Sequence, residues 1–156
     1  MQAYEKSLEK ANSWLQSNNI DQNFKKLIEN LIVNKNKDLL TKCFNSDLSF
    51  GTGGIRALTG VGSCRLNIYT IRKISETLVE HLKTKFSQKI SVAISYDTRV
   101  HSLDFAQASA QVLADKGIKV YITKTASPTP FLSFLVKEYK CQAGICITAS
   151  HNPPAY

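Results

Sequence analysis

The chain has 156 residues, a length that favours one domain and lets a folded chain bury roughly 70% of the surface it exposes when unfolded. Hydrophobic residues make up 43% and charged residues 21%, and no apolar run approaches the length of a membrane-spanning helix. Net charge is +8, from 20 basic and 12 acidic residues, which suits an anionic partner such as a phosphorylated metabolite.

The lysines are dispersed, and no arginine-rich run or RNP-like aromatic motif is present, so neither nucleic acid nor a membrane is expected as a partner. A plain solvated lysine surface is the alternative meaning of the charge. The start, Met1-Gln2-Ala3-Tyr4-Glu5-Lys6, lacks the apolar core of a signal peptide, and the chain reads as cytoplasmic. Cysteines at 43, 64, 141 and 146 form no Cys-x-x-Cys pair and have no histidine at zinc-ligand spacing, so reduced structural thiols are expected.

Residues 1–44 read as helices. Tyr4, Leu8, Ala11 and Leu15 recur at helical spacing, as do Phe24, Leu27, Ile28, Leu31 and Ile32, with Asp21 and Asn36 as N-caps for a second and a third helix. This glycine-free part is expected to be a helical extension, with an α/β domain over residues 45–156. At Phe50 the composition changes: Phe50-Gly51-Thr52-Gly53-Gly54-Ile55-Arg56 packs three glycines into seven residues. Asn67 caps a long amphipathic helix through Ile68, Ile71, Ile74, Leu78 and Leu82. Strict alternation follows. Residues 90–96 form a strand, Ser102 caps a helix ending near Gly117, and residues 118–123 form a second strand. Ser127-Pro128-Thr129-Pro130 opens another helix with proline in its first turn, and residues 143–148 form a third strand. This order predicts an α/β class fold with a mostly parallel sheet and helices on both faces, a three-layer sandwich.

Parallel strands bring their carboxyl ends to one edge, where open α/β sheets bind ligands. The first strand ends in Asp97-Thr98-Arg99, the second leads to Ser127 and Thr129, and the third ends in Thr148, Ser150, His151 and Asn152. A serine is a weak nucleophile unless a base or metal activates it. Side chains of adjacent residues usually diverge, and the Gly-x-Ser-x-Gly elbow is missing, so a hydrolase pair of Ser150 and His151 is disfavoured. A serine held among basic groups suits carriage of a phosphoryl group, whose roughly −1.5 to −2 charge needs cations and backbone donors. Arg56, after the glycine-rich loop, supplies a cation, and glycines let N–H groups approach an anion. The loop is neither a Walker loop nor a dinucleotide fingerprint.

Taken together, Thr148-Ala149-Ser150-His151-Asn152-Pro153, Phe50-Gly51-Thr52-Gly53-Gly54-Ile55-Arg56, Tyr96-Asp97-Thr98-Arg99 and Pro128-Thr129-Pro130 resemble motifs of the α-D-phosphohexomutase superfamily, the phosphoglucomutases and phosphomannomutases. Arg65-Leu66-Asn67, Thr70-Ile71-Arg72 and the helical leader resemble the phosphoglucomutase-2/phosphopentomutase-like branch. The resemblance covers residues 50–156. It implies an intramolecular phosphotransferase that interconverts sugar 1-phosphates with 6-phosphates, or 5-phosphates of pentoses, in carbohydrate metabolism. Ser150 would be the catalytic phosphoserine, passing its phosphate to the sugar through a sugar 1,6-bisphosphate that also serves as activator. His151 would move a proton or touch substrate; Arg56, Ser150, His151 and Asn152 would bind phosphate; and Mg²⁺ would bind the phosphate on Ser150. Ala57 stands where the family commonly has glycine. The family pattern runs past the position of Tyr156 with Asn-Gly and a lysine, and then through three more domains (II–IV). The expectation is therefore a first domain with its leader, inactive alone, whose partners are a glucose, mannose or pentose phosphate and domains II–IV. Self-association through exposed interdomain surface is also expected. A non-catalytic sugar-phosphate- or protein-binding module is the alternative.

Overall fold

The computed structural model describes residues 2–34, 36–153 and 155–156. Pro154 of the terminal motif lies outside them. The chain divides into two compact units, residues 1–70 with 155–156, and residues 71–154. None of the described helices is long and apolar enough to cross a membrane.

The first unit begins with three helices, α1 (Gln2–Gln16), α2 (Gln22–Val33) and α3 (Lys37–Phe44). Their apolar stripes meet around Ala11, Ile28, Leu40, Cys43 and Phe44. Burying a residue such as Ile28 or Phe44 contributes roughly 1.5–3 kcal/mol. Trp14 stands edge-on to both Phe44 and Tyr69 in this cluster. The expected caps form: Asp21 Oδ1 accepts from the Phe24 N–H at 2.9 Å and Asn36 Oδ1 from the Leu39 N–H at 3.0 Å. Each such cap is worth about 1 kcal/mol. The other oxygen of Asp21 accepts from the Tyr69 hydroxyl.

Glycine-rich segment 50–66 shares this unit. The Gly51 N–H donates to the Gly54 carbonyl at 2.8 Å, closing a tight turn. Asn67 then acts in two directions. Its Oδ1 accepts from the Tyr69 and Thr70 N–H groups, as a cap must, and its Nδ2 donates to the Gly60 and Gly62 carbonyls. One buried side chain thus ties the glycine segment to the start of the next helix, α4 (Ile68–Lys85).

The second unit is the α/β layer structure expected from the alternation. Strands β1 (Ser91–Tyr96), β2 (Lys119–Ile122) and β3 (Ala143–Ile147) form a parallel sheet in the order β2-β1-β3, connected through α5 (Ser102–Asp115) and α6 (Thr129–Glu138). The central strand is apolar on both faces because both are covered. Val92, Ile94 and Tyr96 point toward Val79 and Leu82 of α4 and Ala106 and Leu113 of α5. Ala93 points the other way, toward Leu132 and Leu135 of α6. The α6 face carries small residues for a reason. Ala93 pairs in register with Gly144, and a Cβ at Gly144 would fall 2.8 Å from Val136 Cγ2. The helix lies close because nothing larger stands beneath it.

One expected cap is not made. Ser102 opens α5, but His101, at φ 68°, occupies the N-cap position without a side-chain capping bond. Ser102 is the first helical residue, one place past the cap, and its hydroxyl donates to the Asp97 carboxylate at 2.6 Å.

Within the first unit, Gly62 has a φ of 118°, and a Cβ there would sit 2.2 Å from the Cys43 carbonyl oxygen. Gly53 has no neighbour within 4 Å of a built Cβ. Gly62→Ala is expected to destabilise the chain by at least about 2 kcal/mol in urea unfolding, with Gly53→Ala within about 0.5 kcal/mol of wild type. Equal midpoints for the two variants would refute this reading of the loop.

Candidate functional site

Register builds the site. β1 and β3 run parallel with Tyr96 beside Ile147, and the ladder continues one step further as the Asp97 N–H donates to the Ile147 carbonyl at 3.0 Å. Asp97 therefore leaves the sheet alongside Thr148. Its Oδ2 accepts from the Ala149 N–H at 3.0 Å, and its Oδ1 accepts from the Arg99 N–H at 2.9 Å and the Ser102 hydroxyl. One carboxylate joins the end of the central strand, the start of α5 and the loop after β3.

That loop turns sharply. The Asn152 N–H donates to the Ala149 carbonyl at 2.9 Å, and the Ser150 N–H donates to Thr148 Oγ1 at 3.0 Å. Ser150 has a φ of 52°, the left-handed region, which costs a residue with a Cβ roughly 1–2 kcal/mol. Surrounding bonds must hold it there. Arg99 supplies several: Nη1 donates to the Pro153 carbonyl at 3.1 Å and Nη2 to the Asn152 carbonyl, with the Ser150 carbonyl 3.5 Å from Nη2. The result is an exposed Ser150 hydroxyl on a fixed turn above a buried Ala149.

The expected divergence of Ser150 and His151 is not what the structure shows. Ser150 Oγ lies 3.3 Å from His151 Nδ1. Side chains of successive residues point to opposite sides when the chain is extended, and a left-handed Ser150 is not extended. The contact is long for a hydrogen bond to a hydroxyl, and both residues are exposed. Among the described residues no carboxylate bonds to His151, so the third member of a hydrolase triad is not formed.

The other predicted residues are placed as follows. Asn152 sits in the turn, its carbonyl on Arg99. Arg56 belongs to the first unit, exposed, just after the Gly51–Gly54 turn. The polar groups after β2 do not join Ser150. The Ser127 hydroxyl donates to the Thr125 carbonyl, and Thr129 Oγ1 meets Cys146 Sγ at 3.6 Å. All four cysteines are free. The described residues contain no cluster of three His, Cys, Asp or Glu groups able to hold a metal ion. In the sequence, Asp97 and Arg99 are polar strand-end residues and part of the Tyr96-Asp97-Thr98-Arg99 motif, with no role assigned to either. Their partners are backbone groups of the serine loop, and the available clue was positional, since Asp97 follows the middle strand one step beyond the pairing with β3.

Asp97 is held below the ordinary carboxylate value. Burial is the largest single influence and pushes upward. The Ser102 hydroxyl, the Arg99 and Ala149 N–H groups and the Thr148 hydroxyl together outweigh it. A lowered folded-state value makes ionised Asp97 stabilising above the ordinary value of about 3.9, and the contribution fades as pH falls through the folded-state value. Asp97→Asn is expected to lower stability at neutral pH and to flatten the acid side of the stability curve, as read by urea titration at neutral and acid pH. A variant curve parallel to that of wild type would contradict this.

Comparison with known proteins identifies the family of the chain. Residues 47–156 match the family profile described as phosphoglucomutase/phosphomannomutase, alpha/beta/alpha domain I. A phosphoglucomutase of Staphylococcus epidermidis is 39% identical over 142 residues, covering 91% of this chain and 26% of that enzyme. A human phosphopentomutase is 40% identical over 134 residues, covering 81% of this chain and 22% of that enzyme. A crystal structure from Thermus thermophilus, assigned as a phosphomannomutase, superposes with a TM-score of 0.64 at 34% identity, over 70% of this chain and 24% of that one. The chain thus spans about a quarter of the length of these relatives. With most of its length inside the profile and its parallel sheet delivering the serine loop to the expected edge, the chain belongs to the phosphoglucomutase/phosphomannomutase family, as its α/β/α domain I.

Proposed function

We propose that this chain carries the transferable phosphoryl group of a phosphosugar mutase on Ser150. The observation that carries the reading is an exposed serine on a strained turn, fixed through its backbone, with its hydroxyl at the surface beside His151. Catalysis of phosphoryl transfer consists mostly of positioning and electrostatics, and a fixed turn supplies the first. In the forward half-reaction the bond from Ser150 Oγ to phosphorus breaks and a bond from the sugar hydroxyl to phosphorus forms. The hydroxyl proton is released and a proton reaches Ser150 Oγ. In this reading His151 Nδ1, 3.3 Å from that oxygen, handles the serine proton. The sugar 1,6-bisphosphate so formed turns over, and its other phosphate returns to Ser150, so charge and protons balance over the cycle. Arg56 and Asn152 contribute to phosphate binding in this reading.

A magnesium ion, when bound in an enzyme of this type, neutralises phosphoryl charge. The described residues do not form its oxygen shell: they hold no trio of ligating groups, and both Asp97 oxygens already accept hydrogen bonds. A phosphate on Ser150 would contribute one oxygen. For that reason, and because the chain spans about a quarter of the length of these relatives, we expect the 156 residues alone to show no turnover. Substrates are glucose, mannose or pentose phosphates, and the setting is the cytoplasm.

The test is a chimera in which this chain replaces the matching segment of the S. epidermidis phosphoglucomutase. It is expected to interconvert glucose 1-phosphate and glucose 6-phosphate with magnesium and glucose 1,6-bisphosphate present. Ser150→Ala should abolish turnover, and His151→Ala should slow it by roughly 10²–10⁴-fold. A chimera whose rate is unchanged by Ser150→Ala would sink the reading. Sugar phosphate binding without turnover in an otherwise folded chimera would favour a binding module instead.

A further inference from the structure

We propose that Asp97 and Arg99 are the positioning residues of the Ser150 site, clamping the entrance and the exit of its loop so that the serine hydroxyl is held in place before any phosphate arrives. The inference rests on the reading of Ser150 as the phosphoryl carrier and names the residues on which its geometry depends.

The two act at opposite ends. Asp97 grips the entrance, where its Oδ2 accepts from the Ala149 N–H. Arg99 grips the exit, where its two terminal nitrogens donate to the Asn152 and Pro153 carbonyls. Between them Ser150 is kept at φ 52°. Both clamps come from one short segment after β1, because the Arg99 N–H folds back onto Asp97 Oδ1 and Ser102 steadies the same oxygen. Hydrogen bonds with one charged partner are about twice as strong as neutral ones. A guanidinium can span two carbonyls in one plane, whereas a lysine ammonium is a point charge that cannot reproduce the fork.

Two measurements test the proposal. In the isotopically labelled 156-residue chain, the ¹³Cα and ¹³Cβ shifts of Ser150 report its left-handed backbone, and exchange of the Ala149 amide reports the Asp97 bond. Asp97→Asn should speed Ala149 exchange by at least about tenfold, and Arg99→Lys should move the Ser150 shifts toward extended values, while the amides of β1 keep their protection. In the chimera, Arg99→Lys should lower kcat by about tenfold or more with KM little changed, as expected of a misplaced reacting group. Free guanidinium should restore part of the rate to Arg99→Ala, which a general loss of packing would not allow. Ser150 shifts and Ala149 exchange equal to wild type in both variants would overturn the proposal, as would a loosened loop with unchanged kcat. A chimera that is inactive even without these substitutions counts against Ser150 as phosphoryl carrier, and the loop measurements then decide the clamp separately. Should Arg99→Lys lose β1 protection, Asp97→Asn carries the same test.

Discussion

The Asp97 carboxylate, at the end of the central strand, is the interaction on which the site depends. It accepts from the Ser102 hydroxyl, from the Arg99 N–H and from the Ala149 N–H. These donors belong to the start of α5, the turn after β1 and the loop after β3, the last of them some fifty residues along the chain. A partly buried carboxylate is costly unless its oxygens are satisfied, and here the satisfaction comes from groups whose position matters for chemistry. The same bonds keep the carboxylate ionised and bring Ala149, the residue before the serine, against the sheet edge. The geometry of Ser150 is thus a consequence of strand register, since β1 and β3 must pair as they do for Asp97 to stand beside Thr148.

That register depends in turn on packing. The pair Ala93 and Gly144 lies under α6, and a side chain at Gly144 would collide with Val136 and Leu132. The opposite face fills with Val92, Ile94, Tyr96, Ala106 and Leu113. A one-residue slip would exchange these faces, placing large side chains under α6 and small ones in the larger core. The core therefore specifies the pairing, the pairing places Asp97, and Asp97 places the serine loop. Ser150 is the left-handed residue at the end of this chain of causes, and the bonds around it hold it there.

Much of this was legible in the amino-acid order. Periodicity located the described helices and strands to within a few residues, because both faces of β1 are apolar and the helices carry clean stripes. Asp21, Asn36 and Asn67 were recognisable as caps, since each is an Asn or Asp directly before an apolar stripe. Ser102 looked like a cap as well, but His101 takes the cap position and Ser102 is the first helical residue, with its hydroxyl donating to Asp97. The closeness of Ser150 and His151 was not legible, since it follows from a left-handed φ that local propensity does not predict for serine. The role of Arg99 was hidden for a different reason: its partners are main-chain carbonyls, and carbonyls carry no sequence signal.

Mapping the phosphate after incubation with glucose 1,6-bisphosphate tests the central claim most directly. The account predicts that the chimera, digested and analysed by mass spectrometry, carries one phosphoryl group on Ser150 and that Arg99→Lys lowers its occupancy. Phosphate on another residue of this chain, or full occupancy of Ser150 in a variant whose loop has lost its left-handed turn, would contradict it.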